Sequence, residues 1–261
     1  MKTAELAPGS ILQQMYLDER LTRRARPPGT FVDLGAGTGG ISSVLLARNW
    51  HGCGIDLNET ACRRNSSTNS PYVSDGSYEV RHGDFLTMGD LARVDLVISS
   101  MVLEHLDEFA TTRFFQLVNS LIHPSGSLIL MVPGSPRHWG IEDEVAGHIQ
   151  RFDQRTLVDV LRRYGFQPDH IAGLTYPLSN VLLPISNLLV SYAERQSLGV
   201  SANERTVLAG DRRVLFKTTY PASVHWVLNK YTMYPFHVLQ KRFARHPKSL
   251  VLYVEAQPAK P

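Results

Sequence analysis

Ile11, Leu12, Met15 and Leu21 form an apolar stripe at helical spacing along residues 9–26. Ser10 is placed to cap this helix, and "PPG" at 27–29 stops it. The pattern then shortens. "TFVDL" (30–34) is a brief apolar run entering a glycine loop, and "GISSVLLARNW" (40–50) leaves it at helical period. "GCGIDL" ends a second strand at Asp56, and a helix follows near 58–67. "YEVRHGDF" ends a third strand before Asp84, and "VDLVISS" (94–100) is a fourth. The helix "LDEFATTRFFQLVNSLIHPSG" closes in a turn and leads to a fifth strand, "SLILMVP" (127–133). Strand alternating with helix calls for a mostly parallel sheet covered by helices on both faces.

After strand five the rhythm changes. "FDQRTLVDVLRRYGF" is a helix that Asp153 caps and Gly165 ends, and a sixth strand follows around 166–173. A long excursion precedes the last strand, "LVLYVEA" (250–256). The expected fold is α/β: a Rossmann-like, seven-stranded, mostly parallel sheet with a largely helical insertion between its last two strands. The expected divisions are a leading helix (1–28), a core (29–173), the insertion (174–248) and a closing strand with its tail (249–261).

Composition narrows the class without changing the fold. The 261 residues are 43% apolar and 20% charged, with a net charge of +3, which suits an ordinary globular protein. The basic runs at 20–26 and 241–248 read as solvated helix ends rather than phosphate grips. Cys53 and Cys62 have neither disulfide-framework nor metal spacing and read as reduced thiols of a cytoplasmic protein. No run is apolar enough to span a membrane, and the first ten residues lack the apolar centre of a signal peptide.

The candidate chemistry begins at "FVDLGAGTGG". Gly35, Gly37 and Gly40 fit the G-x-G-x-x-G of a nicotinamide or flavin site, while Gly35, Gly37 and Gly39 fit the G-x-G-x-G of an S-adenosylmethionine site. Both place an anionic group at a helix start and an acid, here Asp56, at the ribose. Asp33 separates them. A carboxylate in a core strand needs a cation or a donor, and it would repel a pyrophosphate, whereas the ammonium of a methionyl group suits it. Asp84, ending strand three, is placed either to accept from an adenine amino group with Phe85 beside the ring, or to cap the short helix that follows.

"FVDLGAGTGG", "GIDLN", "HGDFL", "DLVISSMVLEHL" and "HPSGSLILMVPG" resemble, in order, the motifs of class I S-adenosylmethionine-dependent methyltransferases. They are most similar to the type 11/12 group that includes quinone-biosynthesis methyltransferases. The resemblance covers about residues 29–171. It implies that Asp33, Gly35, Ala36 and Gly37 surround the methionyl part, and that Asp56 binds the ribose hydroxyls with Leu57 against adenine. It also implies that Asp84 and Phe85 hold adenine, that Ser99 and Ser100 line the sulfonium end, and that Tyr16 and Arg20 close over the cofactor's carboxylate. Ala36 stands where many relatives carry Cys.

The implied product is S-adenosylhomocysteine, after in-line displacement that rests on alignment and, for a protic nucleophile, on a base. His148 and His105 are the candidate bases, each balanced against a role in shaping the pocket or a surface loop. Met101, His138, Trp139, Tyr176, Trp226 and Tyr234 are candidate walls of a substrate pocket. Glu142, Asp143 and Glu144 read as solvated or paired with Arg151 and Arg155, so no metal is expected. Residues 171–193 carry no charge, and Pro177 and Pro184 break the run. This stretch is a lid over an apolar acceptor, a homodimer interface, a membrane-surface patch, or a helix on the domain's own core. The expected acceptor is an apolar or aromatic small molecule, methylated on oxygen or nitrogen. Nucleic acid is disfavoured, because strand four ends in "SSMV" without the Asn/Asp-Pro-Pro that grips a flipped base. A further alternative keeps the bound cofactor as a structural element for another task.

Overall fold

The computed structural model describes residues 7–23, 27–89, 91–193 and 228–259. The strands are β1 (Thr30–Leu34), β2 (His51–Asp56), β3 (Tyr78–His82), β4 (Val94–Ser100), β5 (Ile122–Pro133), β6 (Phe166–Leu174) and β7 (Val251–Pro258). They form one seven-stranded sheet in the order β3-β2-β1-β4-β5-β7-β6. The first five run parallel, and β7 lies antiparallel between β5 and β6.

The helices are α1 (Pro8–Arg23), α2 (Gly40–Leu46), α3 (Glu59–Thr68), α4 (Ser70–Ser74), α5 (Glu108–Leu121), α6 (Ile141–Ala146), α7 (Gln154–Arg163), α8 (Leu178–Ala193) and α9 (Tyr234–Arg242). The period of two along each strand divides the core. Val32, Leu34, Val97, Leu128, Leu130 and Val254 point to one face, against Phe114, Phe115 and Val118 of α5 and Leu157 and Leu161 of α7. Phe31, Leu96, Ile98, Ile129, Met131 and Tyr253 point to the other, against Tyr16, Leu17 and Leu21 of α1 and Leu45 and Leu46 of α2. Each fully buried Leu or Phe contributes roughly 1.5–3 kcal/mol.

Several local expectations are corrected. α1 begins at Pro8, which places Ser10 inside the helix rather than at its cap. α2 stops at Leu46, and a turn with Asn49 at φ 61° carries Trp50 back into the core. The turn expected at the end of α5 belongs to β5 instead. Val94 pairs with Ile122 but Leu96 with Ser127, so an irregularity absorbs the extra residues. Pro177 precedes α8, and the helix runs on through Pro184. At α7 the expectation holds. The Asp153 side chain accepts from the Thr156 N–H at 2.8 Å, and Gly165 follows the helix at φ 83°.

Candidate active site

β1 has β2 on one side and β4 on the other, so the chain's direction of travel reverses at its C-terminal end. Crevices at such points are where open α/β sheets bind ligands. A cavity of about 830 Å³ lies there, with Gly35, Gly37, Asp56, Leu57, Asp84, Phe85 and Ser100 along one side. Met101, Val102, His105 and His148 continue the wall, and residues 7–10 with Gln13 of α1 roof it. Ser179, Leu182, Leu183, Ser186 and Leu189 of α8 close the remaining side.

The glycine loop resolves its own ambiguity. Gly39 has φ 83°, and a Cβ there would strike Asn65 and Asn69, so this position requires glycine. Gly40 is simply the first residue of α2, with Gln14 above it. The working pattern is therefore G-x-G-x-G. Gly35 stands at φ 77°, where a Cβ would strike Val102. Asp56 accepts from the Gly37 and Asn58 N–H groups, each at 2.8 Å, which fixes its carboxylate at the cavity edge. Burial raises its pKa, against those two hydrogen bonds. Asp84 lines the cavity and also accepts from the Leu86 N–H at 2.9 Å. Phe85 packs edge-on against Phe114.

Other expected site residues lie behind the wall or away from it. Asp33 is buried beneath the loop, where Oδ2 accepts from Ser42 Oγ at 2.7 Å and Oδ1 has no partner. Burial pushes its carboxyl up to about 7. Tyr78 and Asn65 extend this network, which anchors α2 and α3 to the sheet. Ala36 is buried, and Ser99 Oγ donates to the Leu34 carbonyl at 2.7 Å, tying β4 to β1 under Gly35.

Tyr16 and Arg20 do not close over the cavity. Tyr16 is buried with its hydroxyl 2.8 Å from His170 Nε2, and Arg20 forms a two-point ion pair with Glu255 at 2.8 and 3.1 Å. Buried Glu255 needs its partner, and the cavity roof falls to the earlier turns of α1 instead. Four expected pocket walls also lie elsewhere. His138 bonds Ser135 Oγ at 2.8 Å, Trp139 is 43% exposed, Tyr176 stacks on His246 with centroids 3.9 Å apart, and Tyr234 is 58% exposed. Trp226 lies outside the described residues.

His105 and His148 do meet, ring edge to face, with centroids 4.8 Å apart. His105 Nδ1 lies 3.3 Å from the Gly147 carbonyl, and burial with the neighbouring His148 drops its pKa to about 4. His148 Nδ1 lies 2.8 Å from Asp143 Oδ1, which also accepts from Arg151 Nε at 2.6 Å. Burial would raise the Asp143 pKa, but these two partners outweigh it and hold the carboxyl below its usual range. Asp143 is thus buried and paired with Arg151, while Arg155 turns instead toward Asp159. Glu104, which sequence reasoning passed over inside "LEHL", is fully buried beside the histidines. One ligand-capable atom each from Glu104, His105 and His148 falls within 4.8 Å, a grouping that no local spacing announced.

Residues 12–171 match the family described as "Methyltransferase domain". No curated protein sequence matches significantly. Solved structures share the fold at low identity. A putative sarcosine dimethylglycine methyltransferase from Galdieria sulphuraria is 13% identical, covering 96% of this chain and 86% of its own, with TM-score 0.59. Geranyl diphosphate C-methyltransferase from Streptomyces coelicolor A3(2) is 14% identical, covering 95% and 75%, with TM-score 0.54. The 1,6-didemethyltoxoflavin-N1-methyltransferase of Burkholderia thailandensis is 18% identical, covering 65% and 73%, with TM-score 0.53. The chain belongs to the methyltransferase-domain family and is an S-adenosylmethionine-dependent methyltransferase.

Proposed function

We propose that the enzyme methylates an oxygen or nitrogen of an apolar or aromatic small molecule held between the histidine pair and α8. The observation that carries this reading is the division of the cavity. Asp56, Asp84 and the glycine loop give it a polar, hydrogen-bonding side, while Leu182, Leu183 and Leu189 of α8 with Leu250 and Val251 give it an apolar one. Ribose hydroxyls suit the Asp56 carboxylate, an adenine amino group suits Asp84, and the glycines admit the methionyl chain close to the backbone. An apolar acceptor suits the leucines, where a charged one would lose its hydration without compensation. The N1-methylation of 1,6-didemethyltoxoflavin named for one structural neighbour is compatible with such a wall.

Transfer requires the acceptor atom, the methyl carbon and the sulfur to stand in line. The acceptor's lone pair forms the new bond to carbon as the carbon–sulfur pair returns to sulfur. Such alignment supplies up to roughly 7–11 kcal/mol. His105 and His148, at the junction of the two sides, are the bases within reach of a protic acceptor.

Calorimetry tests the cofactor side. S-adenosylmethionine is expected to bind at least about 100-fold tighter than NADH, and D56A to weaken it by roughly 1.5–3 kcal/mol for each lost charged hydrogen bond. The acceptor side is tested with a panel of aromatic and isoprenoid alcohols and amines and radiolabelled methyl donor. L183W, which fills the apolar side, is expected to leave cofactor affinity within about twofold while abolishing turnover. Unchanged turnover by L183W would move the acceptor away from α8.

A further inference from the structure

Glu104 sits behind the cavity wall at 0% exposure, and neither of its carboxyl oxygens has a hydrogen-bond partner. A bare carboxylate in such a place costs several kcal/mol, so its charge needs an explanation. Four titratable or charged groups face it. Arg151 is committed, with Nε on Asp143 and Nη1 on the Gly134 carbonyl at 2.9 Å. Asp143 carries the charge that Arg151 cancels. His105, half-buried beside the same group, remains neutral at neutral pH because desolvation and His148 disfavour its cation.

The fourth group is His148, with Nε2 3.8 Å from Glu104 Oε1 and a side chain 11% exposed to the cavity. Its Nδ1 faces Asp143 Oδ1, an acceptor, so Nδ1 carries a hydrogen and the open question is the proton at Nε2. A neutral carboxyl beside neutral His148 and a carboxylate beside an imidazolium contain the same atoms and the same single proton. Both spare the interior an uncompensated charge.

We propose that Glu104 and His148 hold one proton between them, which makes Glu104 the positioning residue that decides when His148 Nε2 can accept a proton from the methyl acceptor. The proposal rests on the reading of this cavity as the acceptor site. The pair is open once the shared proton has left and the cluster carries one negative charge, a state that a sulfonium cation in the same cavity favours by Coulomb attraction. During transfer the acceptor's O–H or N–H proton moves to Nε2, the acceptor forms its bond to methyl, and sulfur keeps the electron pair of the broken bond. The pair is then back in its one-proton state and returns that proton to solvent through the cavity. Burial, only partly offset by the nearby Arg151 charge, holds the Glu104 carboxyl up at about 8, in keeping with a retained proton.

The test is NMR on the full chain labelled with ¹³C at glutamate carboxyls and ¹⁵N at histidine rings, titrated from about pH 5 to about pH 9. E104Q and H148N assign the two signals, and E104D provides a second variant that keeps the acid. In the parent, the Glu104 and His148 signals are expected to move together with one midpoint, far above the ordinary carboxylate range. E104Q is expected to shift the His148 step down by about one pH unit or more, and E104D to restore most of it. A Glu104 signal that titrates by itself in the ordinary range, or a His148 step that E104Q leaves in place, overturns the proposal. Stoichiometric uptake of Zn²⁺ or Mn²⁺ that E104Q abolishes also overturns it, since the same three side chains would then serve a cation. None of these readouts needs an acceptor, so their failure is separate from failure of the acceptor assay with L183W.

Discussion

Asp33 lies on the side of β1 that faces α2, with Ser42 as its one hydrogen-bonded partner and a second oxygen that has none. A core acid needs a donor or a cation. The partner at hand, however, is a serine seated by the glycine loop. Burial keeps the proton on Asp33 up to about pH 7, whereas the unfolded chain releases it near the ordinary value of 3.8. Between these values the folded state binds more protons, so this contribution is complete below the lower value and is lost as pH rises to the upper one. D33N, which keeps an acceptor for Ser42, is expected to flatten that part of the pH dependence. Urea midpoints measured across the window will show it, and Glu104 will leave a residual slope of the same sign reaching to about 8.

At the scale of elements, the clearest sequence signals were those that local chemistry completes by itself. α7 is one, because Asp153 and Thr156 satisfy each other's backbone N–H groups within a single turn. D153A is expected to destabilise the protein by about 1 kcal/mol and to leave cofactor affinity unchanged, as read by thermal melting and calorimetry. α8 is the opposite case. Its uncharged sequence left a lid, a homodimer interface, a membrane-surface patch and a core helix all open, since an apolar run states that it avoids water and not what covers it. In the fold, Leu182, Leu183 and Leu189 turn to the cavity while Val181, Leu188 and Tyr192 remain exposed.

Over the whole molecule, α1 is fastened to the far end of the chain. Arg20 grips Glu255 of β7, which also accepts from the Tyr253 hydroxyl at 2.7 Å, and Glu19 meets His237 and Lys241 of α9, each at 2.7 Å. The helix that roofs the cavity is thereby held by the last strand and by the segment before it. R20M leaves Glu255 buried without its cation and is expected to lower stability by about 3 kcal/mol, while E255Q in the same chain recovers part of the loss. Cofactor affinity measured below the melting transition is expected to stay at the parental value. A large drop would return Arg20 to the cofactor's carboxylate.

The sequence by itself determined the strands and their succession along the chain, the glycine loop and the acids at the ends of β2 and β3. These follow from period-two burial, from backbone angles that glycine alone tolerates, and from contacts between neighbours in the chain. Tertiary structure alone decided the partners of the buried polar groups. Tyr16 and Arg20 were paired with His170 and Glu255, and His148 was set between Asp143 and Glu104. A residue's own neighbours reveal that it is buried, but a buried charge is neutralised by whichever group the fold brings within reach, and that group comes from a distant part of the chain.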